Sequence, residues 1–286
     1  MTEANPLGDY LRARRELVTP ESVGLPHTGL RRVPGLRREE VAMLAGISAD
    51  YYLRLEQGRD RNPSAQVLEA LARVLQLDAP ATEYLQGLGA SRPRRRKRRP
   101  RPETVPAGIR KLLATVPLPG FVEGRCFDVL ASNELAVALS PRLAEGGNRL
   151  RDFFLDPAEQ ALFGDWEEAA AALIAGFRAS VGTDIDDPRF IELVGELSLA
   201  SNTFRTLWAR HDVVRRQGGS VTLHHPEVGE LTLYREKLAI TGTSGQVLVL
   251  YHPEAGTEHA DKLALLASYA LPAHDDEPGR ITPDLS

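Results

Sequence analysis

The sequence predicts two domains of different class, an all-helical unit near the N-terminus and an α+β unit after it. Three observations carry this. The chain has 286 residues, which suits about two domains at roughly 100–200 residues each. Apolar residues recur at helical spacing up to Leu88, whereas beyond Gly120 short β-branched or alternating runs flank helical stretches. Between them lies Arg92-Pro93-Arg94-Arg95-Arg96-Lys97-Arg98-Arg99-Pro100-Arg101-Pro102. Like charges repel there and each proline removes a backbone donor, so the segment should not fold alone. The resulting division is 5–90 for the first domain, 91–105 for a basic linker, 106–272 for the second domain and 273–286 for a frayed tail.

Within the first domain, Leu7 to Leu17 reads as a helix with Leu7, Tyr10, Leu11 and Leu17 as its apolar residues. Val18 to Gly35 holds three prolines and three glycines without a clear period, which makes it a loop. Helices follow at Arg38 to Ala45, Ser48 to Gln57, Ser64 to Leu77 and Thr82 to Leu88. Leu68, Leu71 and Leu75 share one helix face, and Asn62-Pro63-Ser64 is a helix-start signal. In the second domain Phe121 to Ala131 reads as two short strands with a turn at Gly124. Phe153 to Arg178 and Asp187 to Arg210 read as helices, with a break at Val181 to Asp186. Ser220 to Leu223, Glu230 to Ile240 and Gln246 to Tyr251 read as strands, and Thr257 to Tyr269 as a closing helix. Strands at both ends around central helices give an α+β domain.

Composition narrows the function. Apolar residues make up 42% and charged residues 26%, as in soluble globular proteins. No apolar run approaches the ~20 residues of a spanning helix, so no membrane partner is expected. Met1 to Tyr10 lacks the basic start and apolar stretch of a secretion signal, and Cys126 is the only cysteine. The expected compartment is the reducing cytoplasm. The net charge of −4 conceals an asymmetry: residues 1–102 carry 19 Arg/Lys and 12 Asp/Glu, a net of +7, and residues 103–286 carry 16 and 27, a net of −11. A basic end joined to an acidic one suggests that the first meets a polyanion.

Residues 36–58 carry the argument further. A short helix ends at Ala45, Gly46 supplies a left-handed corner and Ile47 can plug the angle between helices. Ser48 can cap the next helix, whose Tyr52 and Leu55 can face inward onto Val41 and Leu44. These are the requirements of a helix-turn-helix, in which the second helix is held proud to enter a major groove. The stretch resembles the phage-repressor-like, XRE-type regulators from about Leu7 to Leu88, most specifically in Ala-Gly-Ile-Ser and Leu-Glu-Gln-Gly. The resemblance implies a five-helix fold. It places Ser48, Ala49, Asp50, Tyr51 and Arg54 toward the groove, with Arg54 suited to guanine O6 and N7, Asp50 to a cytosine amino group and Tyr51 to a phosphate or thymine methyl. Arg38, Arg59, Arg61 and Asn62 fall where phosphates are met. It also implies that Glu56 is a structural partner of Arg15. Two departures stand out. Arg37 and Arg38 occupy the places of the family's usual Thr/Ser cap and phosphate-binding Gln, and the Val18 to Gly35 loop is longer than usual, offering Arg31 and Arg32 as further phosphate contacts. The arginine run can follow the phosphate backbone or be a solvated spacer.

The acidic half has apolar and aromatic clusters at Phe121-Val122, Phe153-Phe154-Leu155, Phe204 with Leu207-Trp208, and Tyr234. Most must be core, and some can line an apolar pocket. His224 and His225 are neighbours that point to opposite faces of a strand, so no metal site follows. Ser198 and Ser201 lack a nucleophile-elbow context, a buried inert thiol is the expectation for Cys126, and no catalytic constellation or cofactor motif is found. The blocks Trp208-Ala209-Arg210-His211-Asp212 and His225-Pro226-Glu227-Val228-Gly229-Glu230-Leu231 resemble the MmyB-like ligand-binding domain, over about Val105 to Leu271. That resemblance implies a PAS-like domain with an apolar cavity and a fatty-acid-like ligand. Phe121 and Trp208 are then candidates for the cavity wall and Arg210 for a carboxylate anchor. The sequence reads as a ligand-responsive transcription regulator that binds double-stranded operator DNA as a homodimer. A reading of another class stays open at this point: a helix-turn-helix interaction module that does not bind DNA, with a C-terminal domain serving dimerisation only.

Overall fold

A computed structural model describes residues 5–26, 35–60, 62–90, 103–182, 184, 186–214 and 218–270. The arginine run, the tail from 273, and Arg31, Arg32 and Arg61 lie outside the described residues.

The first domain is α1 (Pro6–Leu17), a 3-10 turn (Glu21–Val23), α2 (Arg38–Ala45), α3 (Ala49–Glu56), α4 (Ala65–Val74) and α5 (Ala79–Gly89). Its helix starts are set locally by side chains that accept from the first turn: Asn5 from Gly8, Ser48 from Tyr51, Ser64 from Val67 and Asp78 from Ala81. Asp78 and Pro80 begin α5 earlier than apolar spacing indicates. The cap missing at Arg37 is partly replaced, because the Glu40 carboxylate accepts the Arg37 backbone N–H at 2.7 Å. Gly46 makes the corner between α2 and α3 at φ +70°, and Ile47 packs on the core. Tyr10, Leu11, Leu36, Val41, Tyr52, Leu55, Leu71 and Leu85 form the buried centre. Leu44 departs from expectation. It is exposed, because the eight-residue α2 turns Val41, Ala42 and Ala45 to the core instead. Gly8 lets α1 lie against the end of α3, since a Cβ there would come within 2.3 Å of the Glu56 carbonyl oxygen.

The second domain runs α6 (Ala107–Thr115), β1 (Gly120–Glu123), β2 (Val129–Ser132), α7 (Glu134–Leu139), α8 (Arg149–Leu155), α9 (Pro157–Ala161), α10 (Trp166–Val181), α11 (Pro188–Ala200), α12 (Asn202–Ala209), β3 (Gly218–His225), β4 (Gly229–Ala239), β5 (Val247–His252) and α13 (Glu258–Ala270). The strands form one antiparallel sheet in the order β2-β1-β5-β4-β3. The helix expected over Phe153 to Arg178 is three helices. Asp156 caps a new start at Pro157, and Asp165 caps α10. Ser201 likewise ends α11 and caps α12 within the stretch Asp187 to Arg210.

One apolar cluster lies on the sheet around Phe121, Leu231, Leu233 and Val249. Another, among α8, α10, α11 and α12, holds Phe153, Phe154, Phe177, Phe190 and Phe204. Among the described residues no helix is long and apolar enough to cross a membrane.

Candidate nucleic-acid interface and ligand domain

Helix α3 has two unlike sides. Tyr52, Leu55 and Glu56 are buried, whereas Ser48, Ala49 and Asp50 are exposed and Tyr51 and Arg54 half-exposed. The helical period thus collects the five predicted groove residues on the outward side. Arg54 is ion-paired with Asp50 one turn back, and its guanidinium carbon lies 5.7 Å from the centre of the Tyr51 ring. Arg59 and Asn62 are exposed beyond the end of α3, where the Asn62 backbone N–H donates to Asp60 at 3.4 Å.

The inward carboxylate, Glu56, is 1% exposed and fixes the orientation of α3. Arg15 of α1 donates Nε to one oxygen at 2.7 Å, and Arg38 of α2 donates Nε to the other at 2.6 Å. Arg15 also donates to the Leu36 carbonyl at 2.9 Å, and Asn5 Nδ2 donates to the Glu56 carbonyl at 2.9 Å. Glu56 thus ties α3 to both α1 and α2, and Arg15 ties α1 to the segment that precedes α2. The Arg38 side chain remains 45% exposed, so one residue spans the buried clamp and the outer surface.

In the second domain cross-strand register aligns Phe121, Val249 and Lys237 on one face of the sheet, with Tyr251 and Arg235 on the next rung. Glu123, on β1, is 1% exposed and held by Arg149 and by Lys237 at 2.9 Å. Burial alone would raise its pKa, but the two cations keep its carboxyl below the ordinary range. Burial pushes the Lys237 ammonium down. Arg149 lies 5.2 Å from the Phe121 ring and Lys237 5.0 Å from the Phe127 ring. Arg235 has a buried Nε without a hydrogen-bond partner. Three basic groups so placed had no local signature, since strand register and helix packing bring them together. Burial pushes the Cys126 thiol up to about 12, which keeps it protonated.

The three predicted ligand residues lie apart. Phe121 is fully buried on the sheet. Trp208 closes the helical aromatic cluster, stacked on Phe204 at 5.7 Å between ring centres. Arg210 is just past the end of α12, half-exposed and paired with Asp212 at 3.0 Å. A separate cavity of about 490 Å³ opens between α6, β2, α7 and α13, lined by Leu113, Val116, Ala131, Leu135 and Ala267 among others. It has the size of a small-molecule site. Neither α6 nor α7 was foreseen from the sequence.

The two halves match separate families. Residues 6–85 match a helix-turn-helix domain. Residues 105–266 match the MmyB-like transcription regulator ligand binding domain. No curated protein matches the chain at a significant level. The class is one of transcription regulators rather than enzymes. With more than half of its residues inside the longer match, the chain belongs to the family of the MmyB-like transcription regulator ligand binding domain, with a helix-turn-helix domain ahead of it.

Proposed function

We propose that this protein is a cytoplasmic, homodimeric transcription regulator that reads operator DNA with α3 and tunes that affinity to a small apolar, fatty-acid-like ligand. The observation that carries the DNA half is the outward row Ser48, Ala49, Asp50, Tyr51 and Arg54, opposite a side anchored by Tyr52, Leu55 and Glu56. In the groove Arg54 exchanges Asp50 for guanine O6 and N7, leaving Asp50 to a cytosine amino group. Arg38, Arg59, Arg61 and Asn62 meet phosphates on either side. Two copies bind half-sites about one helical turn apart, ~34 Å.

The charge count supports a role for the linker as well. Residues 1–90 carry 11 Arg/Lys and 12 Asp/Glu, a net of −1, while residues 91–102 carry eight Arg/Lys and no acid. The +7 of the N-terminal part therefore resides in the linker and not in the helix-turn-helix. We assign the linker to the phosphate backbone, where each neutralised phosphate adds about −0.9 to the slope of log affinity against log salt.

The ligand half rests on the apolar clusters of the second domain and on Arg235 beside them on the sheet, whose buried Nε has no hydrogen-bond partner. That cation suits an acid head, while the apolar side chains suit its tail.

Selection of duplexes from random sequence with the full chain tests the DNA reading. Arg54→Ala should cost about 1–3 kcal/mol at the selected site and relax preference at one base pair. Unchanged discrimination would remove α3 from the groove. Failure of the unaltered chain to bind any duplex at low salt would leave an interaction module. Native mass spectrometry with extraction of carried molecules tests the ligand reading and the dimer together.

A further inference from the structure

Among the described residues the domains meet at a built contact on the helix that anchors α3. Arg14 and Arg15 are neighbours on α1 but point to different domains. Arg15 holds Glu56 at the end of α3, whereas Arg14 holds Asp212 of the second domain at 2.5 Å. Around Arg14 the contact continues. The His211 ring lies edge-on to Tyr10 at 6.1 Å, and Tyr10 packs edge-on to Tyr84 at 5.2 Å and donates to the Ala81 carbonyl at 3.3 Å. Val213 is 5% exposed and belongs to the first domain's core, with Ala179 of α10 packed against the same cluster.

The other end of this segment is rooted in the ligand domain. Arg178, 4% exposed, donates to the Trp208 carbonyl at 2.6 Å and to His211 Nδ1 at 3.2 Å. Its guanidinium carbon lies 3.7 Å from the centre of the Trp208 ring. Trp208 in turn packs on Phe177, Phe190 and Phe204. Only His211, at φ +56°, separates the turn at Arg210 from Asp212, so Trp208 and Asp212 lie on one short segment that Arg178 braces at both Trp208 and His211.

We propose that the segment Trp208–Val213 couples the ligand domain to α1, so that the state of the aromatic cluster sets the position of α1 and, through Arg15 and Glu56, of α3. This rests on the ligand-responsive reading above and names its route. A ligand that repacks the cluster displaces Trp208. Arg178 and His211 move with it, and the Arg14–Asp212 pair either holds or releases α1. Operator affinity changes only as far as the ligand favours one of the two arrangements. Linkage requires the reverse as well: DNA held by α3 must alter the segment.

Hydrogen exchange on the full chain, with and without a duplex selected by that chain, reads the reverse direction without any ligand. Duplex binding should change exchange across residues 202–214. Arg14→Gln and Asp212→Asn should each abolish that change while the variants still bind the duplex, since neither group faces the groove. The double charge reversal Arg14→Asp with Asp212→Arg should restore it.

Sodium laurate, measured for its effect on duplex affinity, reads the forward direction. A shift of about fivefold or more is expected, falling toward none in Arg14→Gln. Duplex binding without any change at 202–214 in the unaltered chain would overturn the coupling, as would an undiminished change in both single variants. If laurate leaves duplex affinity untouched while duplex still alters 202–214, the fatty-acid reading fails and the coupling stands. A chain that binds no duplex overturns both.

Discussion

Each domain buries one glutamate between two cations, and the two clusters are finished differently. Glu56 is clamped by Arg15, 7% exposed, and by Arg38, 45% exposed. Glu123 is clamped by Arg149 and Lys237, 9% and 20% exposed, with Phe121 and Phe127 rings against the cations. The first cluster ends at the protein surface, so its outer arginine can relax into water or onto a phosphate. The second is enclosed, and its cations have no such exit. Two arrangements of the same chemistry thus serve different ends: one orients a surface helix, the other ties β1, α8 and β4 into a single unit.

The enclosed cluster predicts the largest effect. Glu123→Ala leaves Arg149 and Lys237 buried against each other without a counter-charge. It should destabilise the second domain by about 3–5 kcal/mol, read as a shifted denaturant midpoint with the first domain's transition unchanged. Replacing all three together, Glu123→Leu with Arg149→Met and Lys237→Met, should recover most of that loss. A cost of less than about 1 kcal/mol for Glu123→Ala would show that water reaches the cluster.

The open cluster predicts less. Glu56→Ala strands Arg15 but frees Arg38, so about 2–3 kcal/mol is expected in the first domain, accompanied by weaker duplex binding as α3 loses its anchor. Arg38→Ala separates the two roles of that residue. Stability should fall by about 1 kcal/mol, and the salt slope of DNA binding should shrink by about 0.9 if Arg38 meets a phosphate. A lost salt slope with no stability change would make Arg38 a contact alone. The reverse would make it a brace alone.

The same contrast explains what could be read from the sequence. The first domain was legible because its signals are local. Ser48, Ser64 and Gly46 mark helix ends within one turn of the residues they serve, and four of its helices fall close to where apolar spacing puts them. Leu44 escaped because a helix of two turns carries too few residues to fix its phase. In the second domain the strands were legible from alternation, but the clamp was not. Glu123 and Lys237 are 114 residues apart, and only the pairing of β1 with β5 and of β5 with β4 brings them together. Arg210, which the resemblance offers as a carboxylate anchor, stands just past the end of α12 and pairs with Asp212, a contact that no local pattern announces. The charge asymmetry is legible too, but counting 1–102 as one body hides that its positive surplus lies wholly in the eight cations of the linker.

Acid separates the enclosed cluster from the contact between domains, by a smaller effect. His211 faces Arg178 of α10 and Tyr10 and Arg14 of α1. Burial, reinforced by Arg178 and Arg14, pushes its pKa down from 6.5 to about 3. Once undocked it binds a proton that the docked form refuses. Docking strength is therefore complete above pH 6.5 and declines as pH falls toward 3. Glu123 is likewise held below its ordinary 4.5, so its share of stability is complete above pH 4.5 and declines only below that. Between pH 6.5 and 4.5 the contact should loosen while the enclosed cluster holds. Trp208 fluorescence, read in a Trp166→Phe background so that Trp208 is the only indole, should change across that window. His211→Gln should remove the change without altering the transition below pH 4.5. An identical profile in His211→Gln would mean that the contact is insensitive to this ring.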